Sequence, residues 1–212
     1  MTFFQNSPKH RFGCGIAAAA FTCASVLGAT AVHADSKQRP LDPAPETTQT
    51  TEIAEPILLK GTTKASYYWD DASGRMGDTG LPASGKPMQK GLFASPSWPL
   101  LTEGYVIYKG KKAPFFIGDR GPGIPSNNGV MLDMDGKTFA ELVGGSFNMS
   151  TLTVAGFGPG HVEVEYVVTK WGPGVGKKDH PVPFSSGAWS VRDNDPATPP
   201  AAPATPVAAT VE

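Results

Sequence analysis

The chain has 212 residues and a formal net charge of -1 at pH 7, which excludes the strongly basic surface that binding to a nucleic-acid backbone requires. Its 21 prolines cluster toward the two ends, whereas its 25 glycines crowd the middle. This distribution predicts one modest domain flanked by additional segments, not two domains.

Residues 1–34 have the pattern of a secretory signal peptide. A positive start at residues 9–11 precedes an alanine-rich apolar run at residues 15–26, and the small residues around position 34 predict cleavage after Ala34. The alternative is an uncleaved membrane anchor, which the glycines and hydroxyl residues of this run disfavour. We therefore expect a secreted protein, extracellular or associated with the cell wall, that has no membrane contact after cleavage.

Both cysteines, Cys14 and Cys23, lie inside the predicted signal, so the mature protein would have no disulfide. Small exported domains commonly depend on disulfides, and a closed β-sheet is another way to protect a thin core. With only His161 and His180 left after processing, we expect no metal site and no cofactor.

Composition divides the mature chain into four parts. Residues 35–56 are rich in Pro, Thr, Gln and charge and predict a disordered linker, followed by the main domain at 57–172. Residues 173–195 contain apolar side chains and predict a partly ordered extension. Residues 196–212 are nearly all Pro, Ala, Thr and Val and predict a disordered tail. The alternatives for that tail are a spacer or an arm that threads through the wall.

The main domain is predicted to be mainly β. Its clearest strand is at residues 161–169, where valines and a tyrosine alternate with Glu163 and Glu165. Short apolar runs bounded by Gly or Pro give six predicted strands in all, at residues 64–69, 104–108, 114–117, 130–133, 152–155 and 161–169. We expect these six strands to close into one barrel.

One segment predicts a short helix. Asp135 is a suitable N-cap, Phe139, Leu142 and Val143 share one face, and either Gly144 or Gly145 can end the helix. The predicted fold is thus a six-stranded β-barrel with one helix.

The most informative motif follows an aromatic strand, Phe115-Phe116-Ile117, that ends in Gly118-Asp119-Arg120-Gly121-Pro122-Gly123. Glycines beside an acidic residue have no side chain, so a bulky ligand can approach the carboxylate closely. An exposed carboxylate that acts on a ligand requires such access. The alternative is an ordinary turn in which Asp119 accepts backbone hydrogen bonds and Arg120 is solvated.

Together with this motif, other segments of the chain match the motifs of a known type of domain, in the same order along the chain. They are Ala65-Ser66-Tyr67-Tyr68, Ala83-Ser84-Gly85, Pro99-Leu100, Asp119-Arg120-Gly121-Pro122, and Leu132-Asp133 followed by the predicted helix. Together, over about residues 60–172, they resemble the double-psi β-barrel domain of the rare lipoprotein A type, a relative of expansins, barwin-like proteins and some lytic transglycosylases.

The resemblance implies a cell-wall glycan as partner, either peptidoglycan or another polysaccharide. It also implies that Asp119 acts as general acid and then base on the glycosidic bond. Such an acid must be partly protonated near neutral pH, and Asp133 is the candidate neighbour whose charge would help. The alternative for Asp133 is a strand-end aspartate that holds the following loop. We expect the protein to be a monomer.

Sugar rings rest on flat side chains, so aromatic residues are the second part of such a site. The candidates for substrate binding are Tyr67, Tyr68, Trp69 and Trp98, with Lys86 and Arg120 for wall carboxylates. Strand alternation puts Tyr68 on the face opposite Tyr67 and Trp69, so not all of these rings can face one groove. The alternatives are core packing for the rings and solvated surface charge for the cations.

Two positions depart from the pattern of catalytically active relatives, which commonly carry an acid after the glycine of the second motif and a histidine before Leu-Pro. Lys86 follows Gly85 here, and residues 95–98 contain no histidine. The sequence therefore leaves three hypotheses: a lytic transglycosylase-like enzyme, a noncatalytic expansin-like polysaccharide binder or wall loosener, and a secreted protein-binding module.

Overall fold

The structure, a computed structural model, describes residues 55–76, 78 and 80–202. The predicted signal peptide, both cysteines, most of the predicted linker and the last ten residues of the predicted tail lie outside these residues.

The described chain is mainly β and has one α-helix. In chain order the elements are β1 Leu59–Tyr68, β2 Leu92–Ser95, β3 Glu103–Tyr108, β4 Lys111–Arg120, β5 Val130–Asp135, α1 Gly136–Val143, β6 Ser146–Asn148, β7 Thr153–Ala155 and β8 Val162–Lys170. Short 3₁₀ turns lie at Ile124–Asn128, Phe184–Ser186 and Ala188–Ser190.

Six strands form a closed barrel in the order β1-β5-β2-β4-β3-β8. The pairs β1–β5 and β2–β4 are parallel, and the remaining pairs are antiparallel. Closure leaves no free sheet edge within the barrel, which removes the need to protect edge strands. The predicted six-stranded barrel with one helix is therefore confirmed.

One predicted barrel strand was wrong. Thr153–Ala155 does not join the barrel; as β7 it pairs with β6 in a separate two-stranded sheet that packs against α1. The sixth barrel strand is β2, Leu92–Ser95, all four residues of which are buried. A strand buried on both faces has no polar alternation, so the period-two pattern could not identify it.

The predicted helix cap is confirmed. The Asp135 carboxylate accepts a hydrogen bond from the Thr138 amide at 2.9 Å and another from the Gly91 amide at 2.7 Å. The helix ends at Gly144, whose φ of +76° is the left-handed conformation that glycine adopts readily. Asp135 thus begins the helix and also ties it to the chain just before β2.

The barrel core is built from alternate residues of the strands. Along β8, Val162, Val164 and Tyr166 are buried whereas Glu163 and Glu165 are exposed, as the sequence predicted. Trp98, which follows β2, is 0% exposed and lies 5.2 Å from the Tyr166 ring in an edge-to-face contact. Each large side chain buried in this way stabilises the fold by about 2 kcal/mol.

The chain after β8 returns to the barrel. The Trp98 indole donates a hydrogen bond to the Asp179 carbonyl at 2.8 Å, and the Tyr166 hydroxyl lies 2.6 Å from Nδ1 of His180. The amide of Val182 donates to the Ser97 hydroxyl at 3.0 Å. These contacts join the residues after Trp171 to β8 and to the segment that follows β2.

The close approach of β3 and β8 generates a prediction. A Cβ on Gly104 would lie 2.0 Å from the Val167 carbonyl oxygen, so Gly104→Ala must push the two strands apart. We expect it to lower the free energy of unfolding by about 2–3 kcal/mol, measured by urea denaturation. Gly158→Ala is the matched control because a Cβ there meets nothing within 4 Å. Equal midpoints for the two variants would contradict the packing described for these strands.

Candidate functional site

Strand β2 brings two carboxylates to neighbouring positions. Ala94 is paired in register with Asp119 of β4 on one side and with Asp133 of β5 on the other. Because paired strands lie about 4.8 Å apart, the α-carbons of the two aspartates are separated by about 10 Å, and both side chains can extend into the space between them. Both residues are partly buried.

Asp133 is held from the opposite side by β1. Ser66 pairs with Asp133 in the parallel register of β1 and β5, and its hydroxyl donates a hydrogen bond to Oδ1 of Asp133. The preceding residues of the two strands, Ala65 and Leu132, are fully buried in the core. Alternation therefore places Ser66 and Asp133 on the face of the sheet away from the barrel interior.

The surroundings of Asp133 favour its protonated form. Burial raises the pKa of Asp133 to about 6; the hydrogen bond from Ser66 acts against this increase, and the negative charge of Asp119 adds to it. The carboxyl with the raised pKa is thus Asp133, and Asp119 is the charged neighbour. The sequence analysis predicts Asp119 as the general acid and Asp133 as its neighbour, and this assignment of roles stays a prediction.

Asp119 is fixed by the chain before β2. The Ala83 amide donates a hydrogen bond to Oδ1 of Asp119 at 2.8 Å, and the next amide, of Ser84, donates to the Gly118 carbonyl at 2.9 Å. Among the described residues, no salt bridge joins Asp119 to Arg120 or to any other cation. One oxygen of this carboxylate has a backbone partner, and the positive charge of Arg120 acts on it without a direct salt bridge in the described part of the chain.

Gly121 borders the Asp133 carboxylate. Its φ of +143° is a conformation that side-chain-bearing residues rarely adopt, and a Cβ there would lie 3.8 Å from Oδ2 of Asp133. Glycine at this position therefore leaves one side of the carboxylate uncovered by a side chain. The Asp-Arg-Gly-Pro motif contributes Asp119 to the site and also this opening beside Asp133.

Tyr68 places a hydroxyl near the two carboxylates. Its hydroxyl oxygen is buried and has no hydrogen-bond partner in the described part of the chain. Burial raises the pKa of Tyr68 strongly, and the negative charges of Asp119, Asp70 and Asp133 raise it further. The phenol is therefore neutral at physiological pH.

The other aromatic candidates lie in packed surroundings. Tyr67 has its ring 4.8 Å from that of Phe139, Trp69 is 7% exposed and lies 5.2 Å from the Phe147 ring, and Trp98 is fully buried. These three rings pack against other side chains, and their role in stacking against sugar rings stays a prediction. The negative charges of Asp119 and Asp133 act on the hydroxyl of Tyr68, the fourth aromatic candidate.

The two predicted cations have different surroundings. Arg120 is partly buried, and its guanidinium donates hydrogen bonds to the backbone carbonyls of Trp98 and Val175. Burial lowers the pKa of Arg120. Its contacts therefore tie the Asp-Arg-Gly-Pro motif to the segment after β2 and to the chain after β8. Lys86 is exposed, and its ammonium lies 5.0 Å from the centroid of the Phe116 ring.

Sequence reasoning missed the contributions of Ser66 and Gly121 to the surroundings of Asp133. The register of two parallel strands 67 residues apart decides that Ser66 reaches Asp133, and nothing in the local sequence reports this. Gly121 was visible as part of the motif, but which carboxylate it borders depends on the position of β5.

Known protein families give no match to this chain, and no curated protein matches it. Within residues 55–76, 78 and 80–202, no cluster of three or more His, Cys, Asp or Glu is placed to hold a metal ion. None of the helices in this part of the chain is long and apolar enough to cross a membrane.

The raised pKa of Asp133 generates a prediction about stability. Between its ordinary value near 4 and its folded value of about 6, the folded state binds more protons than the unfolded state. The free energy of unfolding therefore falls as pH rises through this window, and the loss persists above it. Asp133→Asn removes this loss of stability. We therefore expect the change in the free energy of unfolding caused by Asp133→Asn to be more favourable at about pH 7.5 than at about pH 4, by about 1–3 kcal/mol.

Urea denaturation at the two pH values measures this difference. Glu163→Gln is the control, because Glu163 is an exposed carboxylate on the outer face of β8. The same pH dependence of the free energy of unfolding in both variants would count against the burial described for Asp133.

Proposed function

We propose that the protein is secreted, binds cell-wall polysaccharide, and cleaves the glycan strands of peptidoglycan by acid–base chemistry at Asp133 and Asp119. This is the reaction of the lytic transglycosylases related to the double-psi β-barrel family that the sequence resembles. The closed six-stranded mixed barrel with one helix is compatible with that family. The observation that carries the proposal is the carboxyl of Asp133, whose pKa is raised to about 6, beside a second aspartate.

The reaction needs one carboxyl group that first gives a proton and then takes one. Protonated Asp133 donates to the glycosidic oxygen, and the bond between that oxygen and C1 breaks. The C6 hydroxyl of the same sugar attacks C1 and returns its proton to the carboxylate, which leaves a 1,6-anhydro ring. No water is consumed, so the second carboxylate that ordinary glycosidases use to activate water is not required.

Asp119 and Tyr68 take supporting roles in this proposal. The negative charge of Asp119 keeps the Asp133 proton from leaving and stabilises positive charge that develops on the sugar in the transition state. The Tyr68 hydroxyl is a neutral donor without a protein partner among the described residues. A buried donor left unpaired costs free energy, and a hydrogen bond to a sugar oxygen would recover it.

The alternative function is noncatalytic binding or loosening of the wall, as in expansins. It is favoured by Lys86, which occupies the position where active relatives commonly carry an acid, and by the lack of a histidine before Pro99-Leu100. In this alternative the carboxylate pair and Tyr68 hydrogen-bond to the polysaccharide without breaking it.

The reaction is tested by digestion of purified peptidoglycan sacculi, with 1,6-anhydro products measured by mass spectrometry. We expect wild type to release them and Asp133→Asn to be slower by about 100-fold or more, the usual contribution of a general acid. The rate should fall as pH rises above about 6, because the donor must be protonated. Asp119→Asn should also reduce the rate, and Glu163→Gln, on the outer face of β8, should not.

Intact glycan after long incubation with wild type would overturn the enzymatic proposal. Sedimentation with insoluble wall material then tests the alternative, since retention without cleavage supports a binder. Loss of retention in Tyr68→Phe would assign the binding to this site, and failure of wild type to sediment with any polysaccharide would exclude the binder as well.

A further inference from the structure

A second concave site lies apart from the carboxylate pair. It is a cavity of about 710 Å³ whose lining includes Phe116 and Trp171 together with charged residues, and does not include Asp119 or Asp133. This volume is in the range of sites that hold small molecules or one to three sugar rings. The cavity is lined by β3, β4, the end of β8 and the segment before β2.

The cavity combines flat apolar side chains with an excess of positive charge. Phe116 and Trp171 are both partly buried, and Trp171 is oriented by an edge-to-face contact with Trp98 at 6.1 Å between ring centroids. Three lysines and one glutamate contribute to the lining: Lys86, Lys90, Lys170 and Glu103.

Two of these lysines already have carboxylate partners. Lys170 lies 2.7 Å from Glu103, and Lys90 lies 2.6 Å from Glu141. Lys86 forms no salt bridge within the described residues, and its ammonium lies over the Phe116 ring. The cavity therefore has one cation that is not neutralised by a carboxylate, positioned above its aromatic lining.

We propose that this cavity binds a sugar unit that carries a carboxylate, with the carboxylate on Lys86 and the apolar face of the ring on Phe116. An exposed cation–π contact is weak, whereas an ammonium and a carboxylate form a charge-assisted hydrogen bond. A bound carboxylate would draw the ammonium away from Phe116 and uncover the ring for the sugar. The choice of a sugar as the ligand rests on the proposed function.

The cavity and the carboxylate pair are linked by one short segment. Ala83 donates its amide hydrogen bond to Asp119, and Lys86 follows three residues later at the cavity. Phe116 and Asp119 are three residues apart on β4, a distance of about 10 Å along a strand. That distance is about two sugar units, so one glycan chain can contact both places. The site thereby selects acidic glycans over neutral ones.

The inference is tested by calorimetric binding of three tetrasaccharides to the Asp133→Asn variant, which keeps the ligands intact. Two carry carboxylates, namely peptide-free peptidoglycan tetrasaccharide and tetragalacturonic acid, and neutral chitotetraose carries none. We expect at least one acidic probe to bind more tightly than chitotetraose and to lose about tenfold in affinity on Lys86→Ala. Binding of the peptidoglycan tetrasaccharide would indicate that the cavity recognises a lactyl carboxylate. Binding of tetragalacturonic acid would indicate that it recognises the carboxylate of a uronic acid.

Lys112→Ala is the matched control. Its ammonium also lies over a ring, 3.5 Å from the centroid of Tyr105, but it does not line the cavity. We expect this variant to bind all three probes as the parent does. Phe116→Ala should also weaken the binding of the acidic probe. Circular dichroism verifies that this variant is folded.

Equal affinity for chitotetraose and the acidic probes, no binding of any probe, or no effect of Lys86→Ala would each overturn the inference. Its failure is distinguishable from failure of the proposed reaction. If the protein releases anhydro products from sacculi but Lys86→Ala leaves the affinities unchanged, only the proposed role of the cavity is excluded. If binding depends on Lys86 but no anhydro products form, only the proposed reaction is excluded.

Discussion

The arrangement of the candidate site depends on the pairing of a four-residue strand with two others. Ala94 of β2 is in register with Asp119 and with Asp133, and one extra residue of β4, Gly118, between the partners of Phe93 and Ala94 sets the parallel register. A shift of one residue would turn either aspartate to the other face of the sheet. Because β2 is buried throughout, its side chains fix this register from both faces. The packing of the barrel therefore determines the chemistry available at its surface.

The carboxylate pair lowers the stability of the fold locally. Asp133 is partly removed from water next to another negative charge and accepts a hydrogen bond from the Ser66 hydroxyl, and Tyr68 adds a buried hydroxyl without a partner among the described residues. None of these features improves the stability of the barrel at neutral pH. Groups that destabilise the free protein and gain partners from a ligand are typical of sites selected for function.

Local patterns predicted the parts of the fold that local chemistry decides. The alternation of β8, the Asp135 cap and the strand leading to Asp119 were all visible in the sequence because each depends on neighbours a few residues away. The strand β2 was missed because burial on both faces removes its pattern. Long-range pairing decides the surroundings of Asp133: Ser66 approaches from β1, and Asp119 from β4. Trp98 is buried because the chain after β8 returns to cover it, which no local motif indicates.

The raised pKa of Asp133, caused by burial and by Asp119, is the central claim, and a titration of the aspartate carboxyl carbons by NMR tests it most directly. In wild type we expect the Asp133 carboxyl to titrate near pH 6, to move to lower pH in Asp119→Asn, and to move to higher pH in Ser66→Ala. A wild-type midpoint near the ordinary value of about 4, unchanged by either substitution, would contradict the account.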